Sequence, residues 1–345
     1  MLTNDNKGIR MNQVSFVTGA NGHLGNNLVR LLLSKRESKG ETVKAGVRDI
    51  KNTDAFTGLD CELVYAEMLN EEAMSEALIG VDILYHVAAV FKHWAKDPQS
   101  EIVQANLKGT EVVLKAAAKN GVKKIVYVSS VAAVGHDGSA LDEHHWNTET
   151  KNAYYYSKII SEQKAWELAR ALNLNMVSVL PSAMVGPYAL NLTDTMSFIE
   201  SIRLKKLPFD PNFHFNFVDV RDVAKGLHAA SIKGKNGQRY ILANETSSGL
   251  NRVIEAANTT KLNYRTLPKS PKWFLLFVAW CMGIKSKLNG KPADLINSQI
   301  HLFYGVKQEY DINKAKRELG FSPRSDIDAL KSAFTYLEQK ALTHA

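Results

Sequence analysis

Cysteine is scarce. The 345 residues carry two, Cys61 and Cys281, too few for a disulfide framework and set in no ligand or redox motif. That usage fits a reducing compartment, and a cytoplasmic setting is expected. Lys and Arg outnumber Asp and Glu by 43 to 35, for a net charge of +8. No Lys/Arg-rich run of the kind that grips nucleic acid occurs, so the excess reads as a solvated surface and no nucleic-acid partner is expected. An anionic cofactor or substrate would use part of it. The opening stretch, MLTNDNKGIRMNQ, lacks the apolar core of a signal peptide. The most apolar run, WFLLFVAWCMGI at 273–284, is too short to cross a bilayer as a helix, so no membrane span is expected. It reads instead as a helix over the substrate pocket or at a dimer surface. No internal repeat, low-complexity tract or metal-ligand spacing is found. His144 and His145 are adjacent rather than four apart, so with Trp146 they read as a loop or a substrate rim.

What is present is organised around VSFVTGANGHLG at 14–25. Val14, Phe16 and Val17 read as a buried strand that breaks at Gly19-x-x-Gly22-x-x-Gly25, and the helical LVRLLL follows at once. Such a turn aims free N–H groups and the positive end of a helix at one point, which suits a pyrophosphate. Gly19 serves the tight turn, Gly22 the close approach of a ligand, and Gly25 the packing of helix on strand. Asn21, His23 and Leu24 fill the turn between them.

Strand and helix signals then alternate. Strands are read at Thr42–Val47, Glu62–Tyr65, 82–86, 124–129 and 176–180, with long helices around 104–119 and 154–172. This rhythm predicts an α/β fold with a doubly wound parallel sheet, covered on both faces. It fails after Pro181, where Pro187, Pro208, Pro211, Pro268 and Pro271 punctuate the chain and one strand-like return stands at 239–243. The expected division is a dinucleotide-binding core at 12–186, completed by 216–245. A smaller, irregular substrate lobe takes 187–215 and 246–340, laid over the edge where doubly wound folds bind ligands.

The second strand ends in Val47-Arg48-Asp49, with Lys51 close behind. At this strand end an acidic residue would accept from a ribose 2′-hydroxyl, whereas Arg accommodates a 2′-phosphate. Arg48 therefore favours NADP(H), and NAD(H) stays possible through Asp49. The chemistry is read at Tyr154-x-x-x-Lys158, which puts phenol and ammonium on one helix face. A phenol titrates near 10, and a nearby ammonium, with the positive charge of an oxidised nicotinamide, is expected to lower that value toward the working range. Tyr155 and Tyr156 fall on other faces. VYVSSVAAVG at 126–135 ends the fifth strand in Ser129-Ser130, where a hydroxyl can donate to a substrate carbonyl.

With glycine turn, serine and Tyr/Lys pair in this order, the chain resembles the extended short-chain dehydrogenase/reductase family. Asn106-x-x-Gly109-Thr110, PSAMVGP, FVDVRDVA and KAKRELGFSP carry the likeness along nearly the whole chain. The resemblance implies that Tyr154 is the acid–base residue and that Lys158 tunes it while holding the nicotinamide ribose. Ser130 is the better match for the family serine, with Ser129 behind it, and Asn106 supports the site. Ala88 and Ala89 would line the cofactor, and Pro181 and Ser182 would lie near the nicotinamide. Glu67, followed by Met68, stands where the family usually has Asp by the adenine. Leu180 replaces the Arg common in nucleotide-sugar members, and the Thr-Asp-Glu run of sugar dehydratases is missing.

These departures, with Phe91, His93 and Trp94 after the fourth strand, look more like dihydroflavonol reductases and 3β-hydroxysteroid dehydrogenases. The resemblance thus implies an oxidoreductase that reduces a ketone or aldehyde on an apolar or aromatic small molecule. Phe91, Trp94, Ser129 and Ala183 are the candidate substrate contacts. A homodimer through the two long helices is also implied. The alternatives are a nucleotide-sugar epimerase or dehydratase with bound NAD, and a non-catalytic NADP-sensing protein.

Overall fold

Short apolar strands buried on both faces need helices on both sides, and the chain supplies them in turn. The computed structural model describes residues 13–36, 42–90, 95–260, 262–289 and 295–343. β1 (Val14–Thr18) turns into α1 (His23–Lys35), followed by β2 (Thr42–Val47), β3 (Glu62–Tyr65), α2 (Glu71–Ala77) and β4 (Ile83–His86). Next come α3 (Ala105–Lys119), β5 (Lys124–Val128), the short β6 (Ala140–Leu141), α4 (Ala153–Ala171) and β7 (Met176–Pro181). The rest is β8 (Ala183–Val185), α5 (Asp194–Arg203), β9 (His214–Phe215), β10 (Phe217–Asp219), α6 (Val220–Lys233), β11 (Arg239–Leu242), β12 (Ser248–Gly249) and α7 (Leu250–Asn258). It ends with α8 (Lys272–Asn289), α9 (Asn297–Phe303), β13 (Glu309–Tyr310), α10 (Asn313–Leu319) and α11 (Asp326–Thr343).

Seven strands form one parallel sheet in the order β11-β7-β5-β4-β1-β2-β3. Strand order reverses between β1 and β4, and a crevice opens at such a point beyond the strands' carboxyl ends. The apolar residues of α1, Leu24, Leu28 and Leu32, recur every four positions and pack with Val223 and Leu227 of α6 on one face. Met74 of α2, Val113 of α3 and Leu168 of α4 cover the other. Each strand and helix expected before Pro181 is present within a residue or two. The third helix is preceded by a π-helical turn, Gln99–Gln104.

Beyond β7 the chain builds a separate apolar cluster, in which Ile199, Phe217, Ile254 and Phe334 join α5, β10, α7 and α11. β8 pairs with β10 in parallel and returns the chain toward the carboxyl edge of the sheet.

Candidate active site

The turn after β1 is built as its glycines require. Gly19 has φ of +62°, and a Cβ there would lie 3.0 Å from Ala88 Cα. The loops after β1 and β4 therefore touch at the switch point. Gly22 donates its N–H to the Gly19 carbonyl and caps α1 without a side-chain acceptor. The first bonded helical amide is Asn26, which donates to the Gly22 carbonyl. The amides of His23, Leu24 and Gly25 thus have no intrahelical acceptor, and no acidic side chain stands in that first turn. This is an anion cradle, and it fits a dinucleotide pyrophosphate. His23 itself points inward. Its Nε2 donates to the Gly186 carbonyl at 3.2 Å, and burial lowers its pKa to about 4, so the ring is neutral.

Thr18 ties the two loops together. Its Oγ1 accepts from the amides of Val87 and Ala88, both at 2.9 Å, and lies 3.0 Å from His86 Nδ1. With both lone pairs occupied, the hydroxyl hydrogen goes to Nδ1, so the His86 proton sits on Nε2. Burial, with Lys158 nearby, takes this ring's pKa down to about 3. His86 is a neutral packed residue. Asn106, in the first turn of α3, accepts from Val90 N at 2.7 Å and donates to Val90 O and to Ser157 Oγ. It pins the loop after β4 to the helix that carries Tyr154.

Tyr154 and Lys158 lie on α4 and are both buried. The Lys158 Nζ stands 5.9 Å from the Tyr154 ring centre. Among the described residues this ammonium makes no hydrogen bond. It opens on a small cavity shared with Met68, His86, Ala88, Ala89 and Asn106. Burial lowers its pKa to about 8, against the attraction of Glu162. A buried ammonium lacking a hydrogen bond fits a ligand hydroxyl. Tyr154 differs from expectation. Burial pushes its phenol up to about 12, and the group that opposes this is Ser130, which hydrogen-bonds to it. Asp194 adds to the rise, and the lysine four residues on is not among the groups that shift the phenol.

Successive strand residues face opposite ways, and this separates the two serines. Ser130 Oγ accepts from Ala132 N and meets Tyr154. Ser129 turns the other way, donating to Glu162 Oε2 at 2.7 Å, and is closed off from the expected substrate side. Glu162 and its partner Arg239 were not singled out from the sequence, although Glu162 follows Lys158 by four positions on the same helix.

The remaining expected residues scatter around this centre. Arg48 is exposed just past β2 and makes no ion pair among the described residues, and Asp49 instead accepts from Lys51 N. Glu67 accepts from Leu69 N in the turn after β3. Pro181 ends β7. Ser182 is buried with its Oγ unpartnered, a second polar atom available to a ligand. Ala183 starts β8. Phe91, His93 and Trp94 lie outside the described residues. Among the described residues the wall beside Tyr154 is aromatic, and its three phenylalanines were not flagged by the sequence. Tyr155, Phe213, Phe215 and Phe303 cluster with Tyr154, and His136 stacks on Phe303 at 5.5 Å.

The 144–146 stretch is a loop, held because Arg239 donates to the carbonyls of Glu143 and His145 while its guanidinium lies 3.9 Å from the Trp146 ring centre. Helix α8 covers the aromatic cluster from outside through Leu275 and Phe213. Its other side, with Phe277 and Trp280, faces solvent. An open groove of about 800 Å³ lies at the opposite, amino edge of the sheet, around Asp82, Lys123, Lys124 and Asn175. Its lysines are engaged with Asp82, Asn175 and the Gly234 carbonyl, and it is remote from Tyr154.

Residues 15–243 match the NAD dependent epimerase/dehydratase family. A Synechocystis protein provisionally named a dihydroflavonol 4-reductase is 33% identical, over 96% of this chain and 97% of its own. Cinnamoyl-CoA reductase 2 of Arabidopsis thaliana is 34% identical, over 69% and 75%. The crystal structure of gox2253 superposes with a TM-score of 0.81 at 30% identity, over 95% of this chain and 99% of that one. Two more distant structures share the fold. Yeast methylglyoxal/isovaleraldehyde reductase Gre2, with NADPH, has a TM-score of 0.73 at 22% identity, covering 95% and 99%. Bacillus cereus UDP-glucuronic acid 4-epimerase, with NAD, has 0.72 at 20%, covering 95% and 99%. Glycine cradle, parallel sheet and family match agree: the chain belongs to the NAD dependent epimerase/dehydratase family of extended short-chain dehydrogenases/reductases, and it is an NAD(P)-binding enzyme of the oxidoreductase type.

Proposed function

We propose that the protein reduces a ketone or aldehyde on an apolar or aromatic small molecule to the alcohol, using NADP(H) in preference to NAD(H). The observation that carries this reading is the hydrogen bond between Ser130 and Tyr154 beside the buried Lys158, at the strand edge where the glycine turn opens. The aromatic wall of Phe213, Phe215 and Phe303 supports an apolar substrate. Bound nicotinamide would supply the hydride. The chain supplies the proton. Tyr154, held neutral by burial, donates from its hydroxyl to the carbonyl oxygen as charge grows there. Ser130 donates to the same oxygen and keeps it against the phenol. Lys158 would hold the ribose, Asn106 fixes the loop at 90, and Arg48 with Lys51 would take the 2′-phosphate.

In this reading residues 12–186 and 216–245 bind the dinucleotide, 187–215 and 246–340 shape the substrate site, and α3 with α4 pairs two copies into a cytoplasmic homodimer. The test is a panel of aliphatic and aromatic carbonyls followed by NADPH absorbance, with NADH in parallel, on wild type and Arg48→Ala. A charge-assisted contact is worth about 1.5–3 kcal/mol, so Arg48→Ala should weaken NADPH by roughly tenfold or more and leave NADH unchanged. Equal losses would remove the NADP assignment. A tightly retained NAD, with a UDP-sugar interconverted without net redox, would make the protein an epimerase instead.

A further inference from the structure

Helix α8 has an apolar face that the other described residues do not cover. Trp273 is 70% exposed, Phe277 55%, Trp280 58%, Ile284 43% and Leu288 84%. At about 100° per residue these five side chains fall within an arc of roughly 80°. The opposite face is already committed. Leu275 and Ala279 are buried against Ile300, with Phe209, Phe213 and Tyr304 around them. The helix therefore cannot roll to hide its aromatic stripe without abandoning that packing. A contiguous exposed stripe of this kind marks an interaction surface.

We infer that this face docks the protein on an anionic lipid bilayer, with α8 lying in the plane of the headgroups. Charge selects the partner. The helix sequence contains Lys272, Lys285 and Lys287 and no Asp or Glu. On the helical wheel Lys285 falls about 60° beyond one edge of the stripe and Lys272 about 80° beyond the other, where Lys272 reaches the Tyr304 ring at 5.9 Å. Trp, Phe and Leu on the exposed face, with lysines to either side of it and no carboxylate on the helix, suits the headgroup boundary of an anionic membrane. A second copy fits worse. Two such helices paired antiparallel would set the lysines near 285 against Lys272 of the other copy, with no carboxylate on either helix to neutralise them. Lipid phosphates supply that negative charge. The helix lies on the membrane and does not cross it, since no helix among the described residues is long and apolar enough to span. Phe213, beneath α8, also belongs to the cluster around Tyr154, so the docked face is the outer side of the active-site wall.

The test is co-sedimentation of the full chain with vesicles of phosphatidylcholine alone, or of phosphatidylcholine with phosphatidylglycerol, at low and physiological salt. Binding should require the anionic lipid and weaken with salt. Lys272→Glu and Lys285→Glu should each cost roughly fivefold or more in partitioning. The triple variant Trp273→Ser, Phe277→Ser, Trp280→Ser should stay in the supernatant while keeping its circular dichroism and NADPH affinity. Failure of the wild type to pellet with anionic vesicles overturns the inference. So does equal pelleting of the triple variant. Light scattering that shows self-association lost in that variant would assign the face to a second copy and overturn it too. None of these readouts depends on the reaction catalysed.

Discussion

Arg239 and Glu162 meet as a two-pronged buried pair, Nε to Oε1 at 2.9 Å and Nη2 to Oε2 at 3.0 Å. The carboxylate also accepts from Ser129, Ser178 and Trp166, so its lone pairs are filled. The pair stands one helical turn beyond Lys158 and joins the helix that carries Tyr154 to the last strand of the sheet.

Removing one partner of such a pair leaves a buried charge uncompensated, at a cost of about 3–5 kcal/mol. Arg239→Met should therefore lower the urea midpoint sharply. Glu162→Gln, closer in shape, should also remove the attraction that raises the Lys158 pKa. Its cofactor affinity should then begin to fall at lower pH than in the wild type. A Glu162→Gln protein with wild-type stability and an unshifted binding profile would contradict both expectations.

The two adjacent serines should separate cleanly. Tyr154→Phe removes the proposed proton donor and keeps the ring, so rate should fall by about 10²–10⁴ with cofactor binding intact. Ser130→Ala should lower turnover too, because it removes the bond that opposes the rise in the phenol pKa. Ser129→Ala should act on stability, leaving a buried acceptor short of a donor at about 1–3 kcal/mol. Steady-state kinetics beside thermal melts distinguish the two, and a Ser129→Ala enzyme that melts normally but turns over slowly would reverse the assignment.

Gly25→Ala should cripple cofactor binding. The added carbon would collide with the Gly19 carbonyl and come within 2.9 Å of Ala20 Cα. Both are backbone, so the turn itself must move. Gly283→Ala, in the open middle of α8 with nothing within 4 Å, is the matched control and should stabilise by about 0.5–1 kcal/mol. Fluorescence titration with NADPH and a thermal melt on both variants check this. Normal affinity in Gly25→Ala would rule out the cradle.

Acid should weaken the fold before its carboxylates titrate. His23 and His86 refuse protons in the folded state down to about pH 4 and about pH 3, whereas the unfolded chain takes them up near 6.5. Stability therefore falls as pH drops through 6.5 toward those values, by about 1.4 kcal/mol per pH unit for each ring. Lys158 works on the alkaline side. Its folded value of about 8 lies below its ordinary 10.5, so stability rises across that window as the folded protein sheds the proton first. Urea unfolding between pH 6.5 and 4.5 should show His23→Gln, which keeps a donor for Gly186, losing one ring's share of the slope.

Much of the site was legible because it is local. The glycine turn and Tyr154-x-x-x-Lys158 are read within one turn and one helix, and strand alternation separates Ser129 from Ser130 once an orientation is known. Partners far apart along the chain were not legible. Glu162 and Arg239 are 77 residues apart, and Phe213, Phe215 and Phe303 reach Tyr154 only through tertiary packing. Periodicity gives 273–284 a helix but not which of its faces the protein buries, so pocket and dimer surface both stayed open for it. The upward push on the Tyr154 phenol comes from desolvation, a property of the whole fold that no spacing encodes.

The last strand of the sheet has a consequence for how the protein is made. β7 is complete at Pro181, but its outer neighbour β11 begins only at Arg239. At about 5–20 residues per second, a ribosome leaves that sheet edge open for roughly 3–12 s. Throughout that interval Glu162 has no arginine to face. A nascent chain arrested with residue 200 just beyond the exit tunnel should carry an unpaired strand and an orphan carboxylate. It should be cut by protease and held by chaperones, whereas one arrested with residue 243 beyond the exit tunnel should resist.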